Sequence, residues 1–138
     1  MAYVTPKTTI QHIKKAVFHS IAPSATVRET GREMYRIRGS DVHARFCASG
    51  FGNYKFNINP NTLRADYELW ICGSDAHWYL IPVGVIRQMY GHPAAYPDKH
   101  HAKIRVVTVN VNSHRVGYAA RSITLDLTPY FRAVLGAP

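Results

Sequence analysis

The stretch Tyr67-Glu68-Leu69-Trp70-Ile71-Cys72-Gly73-Ser74-Asp75, followed shortly by Trp78-Tyr79-Leu80-Ile81-Pro82, decides the class of fold that this sequence predicts. Two short apolar runs separated by a turn of glycine, serine and aspartate are typical of a β-hairpin. Val and Ile together number 22 against 6 Leu, and this excess of β-branched residues favours sheet over a helical bundle. We therefore expect a fold built around β-strands.

Further strands are predicted on both sides of this hairpin. Upstream, apolar runs and turn residues indicate strands at 26–29, 34–38, 42–48 and 54–58. The glycine-rich turn at 49–53 predicts that the last two of these form a second β-hairpin. Downstream, alternating apolar residues predict strands at 104–111, 115–119 and 123–127, and a short final helix from Thr128 through Leu135.

Two longer helices flank the predicted strands. The first covers 5–21, with Thr5 as N-cap, Pro6 at the first helical position and apolar residues at helical spacing. The second covers 82–90 and closes at Gly91. The sequence thus predicts an α+β fold with a mostly antiparallel or mixed central sheet, an N-terminal helix and a second helix near 82–90. Its 138 residues indicate a single domain, 1–138.

The distribution of apolar residues also bears on the compartment. No apolar run approaches the roughly 18–20 residues that a membrane span requires. Lys14 and Lys15 interrupt the apolar stretch that a signal peptide would need near the N-terminus. Cys47 and Cys72 lie in strand-like runs and are expected to be buried free thiols. We therefore expect no membrane partner and a location in the cytoplasm, of a cell or of a phage-infected host.

The charge balance predicts a polyanionic partner. Seventeen Lys and Arg against eight Asp and Glu give a net charge of +9 and a pI near 9.8. Nucleic acid is the partner that this excess favours; the alternatives are an acidic protein or anionic surface, and a basic protein with no polyanionic partner. The residues expected on the binding surface are Lys14, Lys15, Arg36, Arg38, Arg45, Lys55 and Arg64.

The segment from Asp41 to Cys47 is the strongest candidate for chemistry. Because side chains two apart on a strand share a face, Asp41, His43 and Arg45 are expected to line up together. An acid, an imidazole and a guanidinium on one face can bind a metal ion or a phosphate. Glu33 and Glu29 are the nearest additional carboxylates. The alternative is an ordinary polar strand face directed to solvent.

Four segments resemble the PD-(D/E)XK nuclease-like superfamily, most closely its branch of group I intron homing endonucleases. They are His43-Ala44-Arg45-Phe46-Cys47-Ala48-Ser49, Tyr54-Lys55-Phe56-Asn57-Ile58, Ala65-Asp66-Tyr67-Glu68-Leu69-Trp70 and Trp78-Tyr79-Leu80-Ile81-Pro82-Val83. The resemblance covers about residues 32–90 and lies in the order and texture of the strands. It implies a nuclease-like fold, DNA as the partner and metal-dependent cleavage in active members.

The sequence departs from this family at the residues that perform cleavage. His43 occupies the position where the family has Gln or Glu, and Arg45 the position of the family's Lys. Arginine does not lose its proton under ordinary conditions, so it can stabilise phosphate charge but cannot act as a base. The family's preceding Asp has no clear counterpart, and Glu33 and Glu29 are the nearest by spacing. The pattern therefore predicts a DNA-binding relative that has lost cleavage.

Two alternative functions and the oligomeric state remain open from the sequence. In an active endonuclease, Glu33, Asp41 and His43 would hold Mg²⁺ or Mn²⁺, and all three with Arg45 would form the catalytic site. In a phage-type inhibitor, the basic surface would bind a host enzyme that acts on nucleic acid. A homodimer could form through the hairpin that carries Trp70 and Trp78.

Aromatic residues beside the glycine-rich turn predict a further contact with nucleic acid. Phe51, Tyr54 and Phe56 lie close to Lys55, and such a combination can stack bases beside a phosphate contact. The alternative is that Phe56 and a neighbour belong to the core.

Overall fold

The computed structural model describes residues 5–48 and 51–136, and it confirms the α+β fold class. Helix α1 spans Lys7–Ile21 and helix α2 spans Val83–Tyr90. Nine strands lie within the described ranges: β1 (Val27–Gly31), β2 (Met34–Ile37), β3 (Ser40–Cys47), β4 (Asn53–Ile58), β5 (Tyr67–Cys72), β6 (Trp78–Pro82), β7 (Arg105–Asn110), β8 (Arg115–Ala119) and β9 (Ile123–Asp126). None of the described helices has the length and apolarity that crossing a membrane requires.

The first sheet has five strands in the order β1-β2-β3-β5-β6. All of its neighbours are antiparallel except β3 and β5, which run parallel with Val42 opposite Tyr67 and Cys47 opposite Cys72. The predicted hairpin of β5 and β6 is confirmed, with Leu69 opposite Leu80. The parallel pair of β3 and β5 lies inside the first sheet, where β2 pairs with one side of it and β6 with the other.

The second sheet has four antiparallel strands in the order β4-β7-β8-β9. The predicted hairpin between β3 and β4 is therefore wrong, because β4 pairs with β7 and β3 pairs with β2 and β5. Burial explains the difference: Phe56 of β4 stacks on Trp70 of β5 with ring centroids 5.1 Å apart. In this position β4 covers the first sheet instead of extending it.

Two apolar clusters occupy the two faces of the first sheet. On one face, Val17, Phe18 and Ile21 of α1 pack against residues that include Tyr35 and Ile37 of β2. On the other face, residues of β5 and β6 pack against the second sheet and α2; this cluster includes Trp70, Tyr79, Ile81, Phe56, Val107, Val109, Ile86 and Met89. α1 and the second sheet thus cover opposite faces of the first sheet.

Each of the two tryptophans lies in one of these apolar clusters. Trp70 and Trp78 are 0% and 1% exposed, so neither indole is free for the dimer contact considered above. The two cysteines are free thiols, with Cys72 buried and Cys47 partly buried.

Beyond Tyr130 the described C-terminal segment is irregular, and the predicted helix from Thr128 through Leu135 is wrong. A short 3₁₀ turn covers Thr128–Tyr130. Beyond it, the backbone N–H of Arg132 donates to the carbonyl of Trp78, and that of Leu135 donates to the carbonyl of Ile21. These bonds fasten the segment to β6 and to the end of α1, which leaves the amides unavailable for a further helical turn.

Candidate nucleic-acid interface

The β1–β3 part of the first sheet presents its second face away from α1. Tyr35 and Ile37 point toward α1, so the alternating residue Arg36 points to the opposite face. Arg28 of β1 lies directly opposite Arg36, and Asp41 of β3 lies opposite Arg36 on the other side. The three side chains therefore form a row across three strands on the face that α1 does not cover.

A groove of about 430 Å³ lies on this side of the sheet. It is lined by Thr30, Gly31, Arg32, Met34, Asp41, Thr62, Arg64 and Ala65. Arg32 comes from the β1–β2 turn, and Arg64 comes from the connection between β4 and β5. We name the surface formed by Arg28, Arg32, Arg36 and Arg64 the arginine face; all four side chains are exposed.

Positive charge exceeds negative charge on the arginine face. Arg36 Nη1 lies 2.9 Å from Asp41 Oδ1, and Asp66 Oδ2 accepts a hydrogen bond from the backbone N–H of Asp41. Among the described residues, no carboxylate forms an ion pair with Arg28, Arg32 or Arg64. Like charges directly opposite one another on paired strands destabilise a sheet. The Arg28–Arg36 pairing therefore carries a cost in folding stability.

Beside the groove, His43 and Glu68 form a buried pair. They lie opposite each other on the parallel strands β3 and β5, and His43 Nδ1 is 2.8 and 3.0 Å from the two carboxylate oxygens of Glu68. Burial raises the pKa of Glu68, and the contact with His43 opposes that shift. The pair thus satisfies two polar groups inside the protein.

Sequence reasoning did not identify Glu68 as the partner of His43. The available signal was a single acidic residue in a strand that otherwise carries apolar side chains, Glu68 before Leu69-Trp70-Ile71. A carboxylate at such a position is buried on either face, and buried charged groups are almost always paired. Identifying the partner required the register between β3 and β5.

A second ion pair and a buried lysine lie near the ends of β2 and β3. Arg45 Nε is 3.3 Å from Glu33 Oε2, and both side chains are partly exposed. Lys14 of α1 is only 4% exposed, and its Nζ lies 5.5 Å from the ring centroid of Tyr35. Burial lowers the pKa of Lys14, while the charge of Glu33 opposes that shift.

The structure separates the residues predicted to hold a metal ion. Glu33 contacts Arg45, Asp41 contacts Arg36, and His43 contacts Glu68. Across 5–48 and 51–136, no three His, Cys, Asp or Glu side chains are arranged to hold a metal ion. The predicted set of Glu33, Asp41 and His43 is therefore not assembled, and the residues present do not fit Mg²⁺ or Mn²⁺.

The basic residues predicted for one surface lie in different parts of the structure. Arg36 and Arg64 belong to the arginine face, whereas Lys15 is exposed on α1 and Lys55 on β4. Lys14 is buried, so its predicted contact with phosphate is wrong.

Two more of these basic residues have structural contacts. Arg38 donates to the carbonyls of Leu135 and Pro23, and Arg45 pairs with Glu33. Sequence reasoning missed Arg28 and Arg32, although the alternation in Val27-Arg28-Glu29-Thr30 places Arg28 and Thr30 on one side of the strand.

The three aromatic residues predicted to stack bases are also separated. Phe56 is buried, and Tyr54 is partly buried against Gly73. Gly73 has φ +80°, and a Cβ there would fall 2.9 Å from Tyr54 Oη, so this turn requires glycine. Phe51 is fully exposed and is the member of the trio that is available to a ligand.

Comparisons with protein-family models, curated proteins and solved structures found no match. The resemblance to the PD-(D/E)XK superfamily therefore rests on the sequence pattern and stays a prediction.

Proposed function

We propose that this protein binds the phosphate backbone of nucleic acid, and DNA first, through the arginine face, without cleaving it. The observation that carries the proposal is the pairing of Arg28 with Arg36 directly across β1 and β2. Two like charges at this position cost stability, and an anionic ligand that neutralises them offsets that cost. The net charge of +9 acts in the same direction by attracting a polyanion from a distance. The expected compartment is the cytoplasm.

The types of residue exposed on the arginine face favour nucleic acid as the partner. They disfavour the alternative of a phage-type inhibitor, which would bind a host enzyme. Protein interfaces centre on buried apolar or aromatic anchors. In the described part of the chain, the large apolar residues that are exposed are Phe51, Tyr96 and Val134, and none of them lines the groove of the arginine face. The guanidinium groups of Arg32 and Arg64, which line the groove, are suited to phosphate oxygens.

The proposal is tested by reversing one charge, in the variant Arg28→Glu. Affinity for a labelled DNA duplex, measured by fluorescence anisotropy, is expected to fall at least about tenfold at low salt. The wild-type protein is expected to show a log–log salt slope of about −4, because each of four neutralised phosphates contributes about −0.9. The slope of the variant should be shallower by about one to two.

Lys99→Glu is the matched control, since it makes the same change in net charge at an exposed lysine between α2 and β7. This variant is expected to retain most of the affinity. Equal losses in both variants would show that total charge, not the arginine face, governs binding. A wild-type affinity that does not respond to salt would overturn the proposal itself.

The active endonuclease is the second candidate, and a direct assay separates it from simple binding. Supercoiled plasmid incubated with the protein and Mg²⁺ or Mn²⁺ is expected to stay intact, because no metal site is assembled from the described side chains. Cleavage that disappears in His43→Ala would contradict the proposal and restore the predicted nuclease.

A further inference from the structure

The two cysteines of the chain lie directly opposite each other on the parallel strands β3 and β5. Cys47 is the last residue of β3, Cys72 is the last residue of β5, and the strand register pairs them. Residues that face each other across paired strands point to the same side of the sheet. Both side chains accordingly pack with the apolar cluster that lies between the two sheets, and both are free thiols.

Hydrogen bonds fix the backbone around this pair. The N–H of Gly73 donates to the carbonyl of Cys47 over 2.9 Å, and the N–H of Cys72 donates to the carbonyl of His77 over 2.7 Å. Neighbouring strands lie about 4.8 Å apart, and the Cα atoms of disulfide-bonded cysteines are usually about 4.4–6.8 Å apart. The register therefore places the two thiols where a disulfide can form without rearrangement of the sheet.

The two thiols differ in their access to solvent. Cys72 is 1% exposed; burial raises the pKa of its thiol, and the nearby Cys47 adds to that shift. Cys47 is partly exposed, and its Sγ donates a hydrogen bond to the carbonyl of Ala48. A small oxidant in solution therefore reaches Cys47 first.

We propose that Cys47 and Cys72 are a site of oxidation by hydrogen peroxide and form a reversible disulfide that links β3 to β5. This proposal is independent of the proposed function, since neither cysteine belongs to the arginine face or lines its groove. In a compartment that keeps thiols reduced, the pair rests as two thiols and changes when peroxide is present.

The oxidation proceeds in two balanced steps. The sulfur of Cys47 attacks one oxygen of hydrogen peroxide, the O–O bond breaks, and the products are a sulfenic acid on Cys47 and water. The sulfur of Cys72 then attacks the sulfenic sulfur, so that the S–S bond forms and the S–O bond breaks. The departing hydroxide takes the proton of the Cys72 thiol and leaves as a second water. Peroxide is thus reduced by the two electrons that the thiols lose, and a dithiol reductant reverses the bond.

The disulfide would also change the stability of the fold. It closes the loop 47–72, which contains β4 and the 3₁₀ turn Pro60–Thr62. Closing a loop restricts the unfolded chain and so stabilises the folded state. We therefore expect the oxidised protein to unfold at a temperature at least about 5 °C higher than the reduced protein.

Peptide mapping of the full chain after peroxide treatment tests the proposal. The reduced protein is treated with hydrogen peroxide, remaining thiols are alkylated, and tryptic peptides are analysed by mass spectrometry. The expected product is a disulfide between the peptides 46–55 and 65–87, in protein that migrates as a single chain on a non-reducing gel. Dithiothreitol should separate the two peptides. Cysteines that stay fully alkylated, or a disulfide that joins two protein molecules, would overturn the proposal.

Two variants test the order of the steps. In Cys72→Ala, the sulfenic acid on Cys47 has no second thiol in its chain and should be trapped by dimedone. In Cys47→Ser, the buried Cys72 should stay reduced in the same time, and its unfolding temperature should not rise after peroxide treatment. Faster oxidation of Cys72 than of Cys47 would contradict the proposed order. A wild-type unfolding temperature that falls on oxidation would show that the bond distorts the sheet, and this would overturn the proposed link between β3 and β5.

Discussion

The buried pair of His43 and Glu68 links the stability of this protein to pH. Burial raises the pKa of the Glu68 carboxyl above its ordinary value of 4.5. The folded state therefore binds the carboxyl proton more tightly than the unfolded chain does. The contribution of Glu68 to stability is fully present below that value. It is lost as pH rises from 4.5 toward the raised pKa of the folded state.

The first prediction concerns Glu68→Gln and Glu68→Ala. The amide oxygen of Gln can still accept a hydrogen bond from His43 Nδ1 and cannot ionise, so the decline in stability above pH 4.5 should become shallower. Ala leaves the buried His43 without its partner and should cost about 1–3 kcal/mol. Urea unfolding at several pH values measures both effects, and equal stability of the two variants would contradict the importance of the pair.

The second prediction concerns the buried Lys14. Lys14→Met keeps the length of the side chain and removes the charge whose burial lowers the pKa of this lysine. The substitution removes the contact with the Tyr35 ring, which lowers stability. It also removes the cost of burying a charge, which raises stability. We expect stability within about 1 kcal/mol of wild type and unchanged affinity for DNA. A clear loss of affinity in an anisotropy titration would show that Lys14 reaches the ligand.

At the level of elements, the pairing of β1 with β2 lowers folding stability but favours the binding of an anion. In Arg28→Glu, the new carboxylate lies opposite Arg36, and an opposite-charge pair across two strands contributes about 0.2–1 kcal/mol. The third prediction is therefore that this variant unfolds at a higher temperature than wild type while it binds DNA more weakly. Thermal unfolding followed by circular dichroism provides the measurement, with Arg28→Gln expected to lie between the two.

A drop in both stability and affinity would contradict this interpretation. It would indicate that Arg28 supports the sheet itself, and the loss of binding would then follow from loss of structure.

Local patterns predicted most of the elements but not all of their partners. The stripe of α1, the hairpin of β5 and β6, and helix α2 follow from residues close in sequence, and the structure contains all three. The turn at 49–53 suggested that β4 returns to β3, yet β4 joins β7 about fifty residues later. A turn signal indicates a change of direction, whereas the choice of partner depends on which distant apolar face covers Phe56.

At the scale of the whole molecule, the charge total predicted a polyanionic partner but not the surface that would bind it. Of the residues predicted from the sequence, Arg36 and Arg64 lie on the arginine face, and Lys14 is buried beside the ring of Tyr35. Which way a basic side chain points depends on strand register and on the rotation of a helix about its axis. Both are set by packing across the sheet, so Glu68 could not be paired with His43 in advance.

The fourth prediction is that the two sheets unfold together. Phe56 of the second sheet stacks on Trp70 of the first, and both lie in one apolar cluster. Urea titrations followed by tryptophan fluorescence and by far-ultraviolet circular dichroism should give coincident midpoints. Two separated transitions would show that one sheet is stable without the other.

The position of β4 also decides whether the protein can be divided into complementing fragments. The chain leaves the first sheet after β3, contributes β4 to the second sheet, and returns to build β5 and β6. A backbone cut between α2 and β7 would place β4 and its partner β7 on different fragments. A cut before β5 would separate β3 from β5 at the centre of the first sheet. Each half would expose an unsatisfied strand edge prone to aggregation, so split reporters or domain transplants built from this protein should carry the chain intact.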